Sequence, residues 1–174
     1  EYQTMICELT GMDVSNASVY DGASAAAEAV MMTQTRGRER VYVAETAHPE
    51  VIETIRTYCW GRDVPFELIP QKGGVLDLSA LEDLPKDTAC VYIQQPNFFG
   101  QFEDAEKAAE LAHAAGAKAV LGVYPIALGI MKTPGEMGYD IAVGEGQPLG
   151  IPMSWGGPYL GFMTAKKEMM RMLP

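Results

Sequence analysis

Cysteine is scarce in this 174-residue chain: Cys7, Cys59 and Cys90 are odd in number, far apart and set in apolar segments. No CxxC pair occurs, and the two histidines, His48 and His113, fall in different segments. A disulfide framework and a zinc site are therefore not expected, and no metal ligands are assigned. The thiols read as small buried apolar side chains, which suits a prokaryotic cytoplasm. Basic residues are also few: 13 Lys and Arg against 23 Asp and Glu leave a net charge of −10. That sign argues against nucleic acid or anionic lipid as a main partner. No apolar run approaches the roughly 20 residues that a bilayer requires. Glu1, Gln3, Thr4 and Glu8 break up the opening segment, against a signal peptide. Walker A, GxSxG and HExxH patterns are missing. Gly144, Gly146 and Gly150 fail the dinucleotide fingerprint, because Leu149 stands where the third glycine belongs and Pro148 interrupts the following helix.

What is present is an alternation of helical and strand-like segments. Helices are predicted over Glu1–Thr10, Ala23–Thr35, Pro49–Tyr58, Leu78–Leu84 with Asp77 as cap, and Asp104–Ala115, with a last one from Lys166 onward. Glu103 and Lys107 have i,i+4 spacing. Strands are predicted at Arg40–Ala44, Phe66–Ile69, Ala89–Gln94, Ala119–Val123, Ile141–Gly144 and Pro158–Met163. Strands separated by helices imply βαβ units. The expected fold is α/β, a three-layer α/β/α arrangement around a mostly parallel sheet, with residues 1–174 forming a single domain.

Two regions hold the candidate chemistry. From Pro134 to Gly161 there are eight glycines and four prolines, with no Lys or Arg between Lys132 and Lys166. Loops of this kind at strand C-terminal ends form the ligand crevice of open parallel sheets. Glu145–Pro148, Tyr124–Pro125 and Gln95–Asn97 occupy such positions. The second region, residues 18–28, runs from Asp21-Gly22 through Ala23 and Ser24 into a helix. Small residues at a helix start let an anion reach backbone N–H groups. Equally, Asp21 reads as the helix cap, and its carboxylate would repel a phosphate. Trp155, beside Gly156 and Gly157, suits a site wall or an interface.

Three stretches, YQTMICELTGMDVSNASVYDGASAAAEA, YIQQPNFFGQFED and above all GYDIAVGEGQPLGIPMSWGGPYLGF, closely resemble the glycine cleavage system P-protein family. More narrowly, they resemble the first subunit of its two-subunit form. The resemblance runs through the whole chain and implies a central piece of a longer subunit. It implies the large domain of the aspartate-aminotransferase-like fold, fold type I of pyridoxal-phosphate-dependent transferases. It also implies glycine dehydrogenase (decarboxylating) activity as part of a complex, in which pyridoxal phosphate supports decarboxylation of glycine and the aminomethyl group passes to the lipoylated H protein.

Matching the family's motif through Gly138, Asp140, Pro152 and Gly156-Gly157-Pro158 puts its aldimine-forming lysine at Gln147 or Pro148. The carboxylate that would protonate the pyridine nitrogen falls near Val123 or Tyr124. None of these can do the work. Of the seven lysines, Lys132 is nearest the crevice, past the wrong strand. The resemblance therefore implies no catalytic residue in this chain and a vestigial phosphate loop at Asp21, Gly22, Ala23 and Ser24. The coenzyme would be held by a homologous catalytic subunit 2. An interface near that subunit's site is expected from Tyr20, Gln95, Asn97, Tyr124, Glu145, Gln147, Trp155, Gly156 and Gly157. The rival readings are a self-sufficient enzyme using Lys132, and a scaffold or regulatory partner with no part in the site.

Overall fold

The computed structural model describes all 174 residues. In chain order the elements are α1 (Tyr2–Thr10), β1 (Val14–Ser15), α2 (Gly22–Met32), β2 (Arg40–Ala44), α3 (Pro49–Gly61), β3 (Phe66–Ile69), β4 (Gln71–Lys72), β5 (Val75–Leu76), β6 (Thr88–Gln95), α4 (Ala105–Ala114), β7 (Lys118–Val123), β8 (Ile141–Glu145) and β9 (Gly161–Ala165). Seven strands form one sheet in the order β1-β9-β8-β7-β6-β2-β3. The five strands from β8 to β3 are parallel, while β9 is antiparallel to β8 and to β1. A separate two-stranded ribbon, β4–β5, stands beside it.

The three-layer expectation holds, and the period-two alternation of the strands explains it. On β6, Cys90 and Tyr92 face α2 and α3, together with Val41, Val43, Val120, Ile141 and Val143. Val91 and Ile93 face the other way, toward α1 and α4, with Leu121, Val123 and Phe162. Helix α2 buries Ala25, Ala26, Ala27, Ala29 and Val30 completely. Its alanines let the axis approach both the sheet and α3, as a helix apolar on most sides must do. Cys59 and Cys90 are buried in this layer, and burial pushes their thiols up to about 11 and about 12. They are packing groups, as expected, and poor nucleophiles.

Several boundaries differ from the sequence reading. Helix α2 begins at Gly22 and ends at Met32, where Thr33 returns its hydroxyl to the Val30 carbonyl. The strand expected at Pro158–Met163 starts only at Gly161, because residues 158–160 belong to the preceding loop. The terminal segment is a 3-10 turn over Lys167–Met172, not an α-helix. Leu78–Leu81 is likewise 3-10, capped by Asp77 as expected. The supposed Glu103–Lys107 pair does not form. Asp104 is the N-cap of α4, so Glu103 lies outside the helix, and Lys107 pairs with Glu110 at 2.9 Å. Glu103 is buried instead, accepting from Thr46 Oγ1 (2.7 Å), Asn97 Nδ2 (2.8 Å) and the Leu76 N–H (2.8 Å).

Candidate functional site

At the C-terminal ends of β6, β7 and β8 lies a crevice of about 390 Å³, bounded by the starts of α2 and α3. It opens beside the point where the strand order reverses, between β2 and β6, which is where open parallel sheets hold ligands. Its floor is Tyr92, Gly122 and Val143, and its walls include Asp21, Glu50, Glu145, Tyr124 and Tyr159.

The start of α2 is occupied from within. Asp21 caps the helix, its Oδ1 accepting from Ser24 N–H at 2.7 Å. Glu145, at the end of β8, reaches the same turn, and its Oε2 accepts from Gly22 N–H at 2.9 Å. The other oxygen of Glu145 accepts from Gln147 N–H (3.0 Å) and Leu160 N–H (2.7 Å). One carboxylate thus ties the helix start to both ends of the loop 146–160. Gly22 permits this approach, since a Cβ there would lie 2.9 Å from the Glu145 backbone nitrogen. A helix N-terminus favours negative charge, and here two protein carboxylates supply it.

No lysine or arginine lines the crevice. Gln147 and Pro148 open a 3-10 turn, and the Gln147 side chain donates to the Ile151 carbonyl, inside its own loop. Lys132 lies elsewhere: it pairs with Glu106 on α4, at 2.7 and 2.9 Å, on the opposite side of the sheet. Val123 and Tyr124 both line the crevice, and neither is acidic. Among His, Cys, Asp and Glu no group of three could hold a metal ion.

The expected interface residues divide into an exposed set, a half-buried set of Glu145, Gln147 and Gly157, and a buried pair. Tyr20, Tyr124, Trp155 and Gly156 are exposed, Trp155 completely so, on a loop where Ser154, Trp155 and Gly156 all have positive φ. Gln95 and Asn97 are corrected: both are 4% exposed and cannot offer side chains to a partner. Gln95 Oε1 accepts from the Glu103 N–H, and Asn97 Oδ1 accepts from the Phe99 and Gln101 N–H groups. They are the internal frame of a loop that presents Phe98, Phe99 and Phe102 to solvent.

Sequence reasoning missed His48, Glu50, Tyr92, Gln94, Gly122 and Tyr159 as crevice residues. His48 is the N-cap of α3, its Nδ1 accepting from Glu50 N–H, and its own N–H donates to Gln94 Oε1 at 2.9 Å. A signal was available for two of them: Tyr92 and Gln94 alternate on the last turns of the longest strand, directly before a loop already marked as a crevice loop.

The family model for the glycine cleavage system P-protein matches residues 1–174. The chain is 54% identical over 176 residues to a protein of Desulforamulus reducens and 52% identical over 177 to one of Carboxydothermus hydrogenoformans. Both are named probable glycine dehydrogenase (decarboxylating) subunit 1. In each case all of this chain is covered, but the chain spans only 40% of the relative's length. A crystal structure of glycine decarboxylase (P-protein) of the glycine cleavage system, in inhibitor-bound form, superposes with a TM-score of 0.94 at 43% identity, over 99% of this chain and 39% of that one. Cysteine desulfurase from Thermococcus onnurineus NA1 matches at TM-score 0.75 and 17% identity, covering 97% of this chain and 42% of its own, a likeness of fold alone. The architecture is that of fold type I pyridoxal-phosphate enzymes.

Proposed function

The chain belongs to the glycine cleavage system P-protein family, and from that premise we propose that it is the supporting half of a two-part glycine dehydrogenase (decarboxylating). In this reading the 174 residues are part of the large domain of subunit 1. The homologous subunit 2 holds pyridoxal phosphate, and the assembled enzyme decarboxylates glycine and passes the aminomethyl group to the lipoylated H protein. Subunit 1 borders that site without performing its chemistry.

The observation that carries the reading is the pair of carboxylates at the start of α2. The N–H groups of Gly22 and Ser24, where this fold would receive a phosphate, are taken by Glu145 and Asp21. A phosphate dianion there would displace two hydrogen bonds and face two like charges. No amine in the crevice could capture an aldehyde, and no acid stands at Val123 or Tyr124. The residues present do not fit the coenzyme. Exposed Tyr20, Tyr124 and Trp155, with Phe98, Phe99 and Phe102, supply aromatic surface, the side-chain type enriched in protein interfaces.

The test uses full-length subunits. Exchange of the glycine carboxyl group with bicarbonate is expected only when subunits 1 and 2 are mixed. Hydride reduction of the mixture with coenzyme should leave a mass adduct on subunit 2 alone. A stoichiometric adduct on subunit 1, or exchange by subunit 1 by itself, overturns the reading. Exchange by subunit 2 without its partner reduces subunit 1 to a scaffold.

A further inference from the structure

Tyr92 is 2% exposed and lies on the crevice floor. In the parallel register Tyr92 is level with Val120 and Gln94 with Gly122. The Tyr92 hydroxyl nevertheless lies over Gly122, where an added Cβ would come within 2.1 Å of it. The ring therefore leans two residues along its strand, toward the C-terminal ends and into the crevice, and the bare glycine makes room for it. No side chain or backbone group of the chain hydrogen-bonds to this hydroxyl, and burial raises its pKa so that the proton stays on oxygen. The side chain is buried but its hydroxyl opens on the crevice, where water or a bound group can meet it.

The charge around it has one sign. Asp21, Glu50 and Glu145 line the space, and none of them is in a salt bridge. Asp21 uses only Oδ1 on the helix, and the Glu50 carboxylate makes no hydrogen bond at all. An anion would meet repulsion from all three and find the Gly22 and Ser24 N–H groups already engaged. The acids are not gathered closely enough to hold a metal ion, which requires several oxygens at 2.0–2.6 Å. Half-exposed Tyr124 and Tyr159 add ring faces, which attract organic cations.

We propose that this crevice binds an organic ammonium group, which donates to Asp21, Glu50 and the Tyr92 hydroxyl while its carbon stem lies against Tyr124 and Tyr159. The ammonium belongs either to a free amine or to a lysine side chain supplied by the rest of the assembled protein. The readout is binding, so the inference fails separately from the assignment of the coenzyme to subunit 2.

The probe is n-butylammonium, titrated by calorimetry into full-length subunit 1 and into the two-subunit complex, with butyrate and 1-butanol as controls. Carbodiimide coupling followed by peptide mass mapping is run on both. Saturable binding of butylammonium alone, weakened about tenfold by Glu50→Gln with Tyr92→Phe, is the expected result; a lost hydrogen bond to a charged group is of that size. Binding that persists in the complex identifies a free amine. Binding absent or lost together with a coupled lysine on Glu50 or Asp21 identifies a side chain. Equal binding of butyrate, equal binding by a double variant of unchanged thermal midpoint, or absence or loss of binding with no coupled lysine overturns the proposal.

Discussion

At the N-terminal ends of the central strands, Asp140 is surrounded by partners: the Ala119 N–H at 2.8 Å, His113 Nε2 at 2.7 Å, Lys118 Nζ at 3.2 Å and Lys166 Nζ at 3.4 Å. At the C-terminal ends, Asp21, Glu50 and Glu145 meet backbone N–H groups or nothing, and no side-chain cation. Both ends are acidic, yet only one is neutralised. The paired end has used up its charge in holding β7, β8 and the segment after β9 together. The unpaired end keeps its charge available to something outside the chain, and that asymmetry separates architecture from site.

The largest effect on stability should come from the paired end. Asp140→Ala in the full-length subunit should lower stability by about 2–3 kcal/mol, read as the denaturant midpoint. A broken buried pair costs about 3–5 kcal/mol, discounted here because Lys118 and Lys166 are each more than a third exposed and can rehydrate. Burial alone would raise the Asp140 carboxyl. The Ala119 N–H, the His113 ring and the two lysine charges more than offset that and hold it below the usual range. Its contribution is complete above the unfolded value of about 3.9 and is lost as pH falls through the lower folded value. Asp140→Asn should therefore flatten the acid limb of the stability profile in that window.

Glu145→Ala comes next, at about 1–3 kcal/mol, because three N–H groups lose their acceptor. Asp21→Ala should cost about 1 kcal/mol, the usual worth of a helix cap. If both were silent, the unpaired end would have no structural role and the comparison would collapse to function alone. The smallest effect on folding is expected from Trp155→Ala, which should leave the thermal midpoint unchanged while weakening assembly with subunit 2 in a binding titration. A shifted midpoint with normal assembly would move Trp155 to the structural side.

How much of this was legible in the sequence depends on range. Helices and parallel strands were, because β-branched runs and helical spacing are local. The two-residue strand β1 and the ribbon β4–β5 were missed, being too short to show a period. Glu103 was misread because i,i+4 spacing was applied across a cap: the residue looks like a helix acid but sits one step outside, where it turns inward. The Asp21 cap was readable three residues away. The Glu145–Gly22 bond, spanning 123 positions, was not. Nor was the lean of the Tyr92 hydroxyl over Gly122, which depends on the strand register.

The threefold grip of Glu145 also bears on how far this crevice could be altered to accept a phosphate-bearing ligand. Pro148→Lys alone would place an amine beside a helix whose Gly22 and Ser24 N–H groups are already taken. Removing Glu145 beforehand would free Gly22 but release Gln147 and Leu160, the two ends of the loop on which that amine would stand. One carboxylate thus couples the helix start to the shape of the loop, so neither can be altered alone.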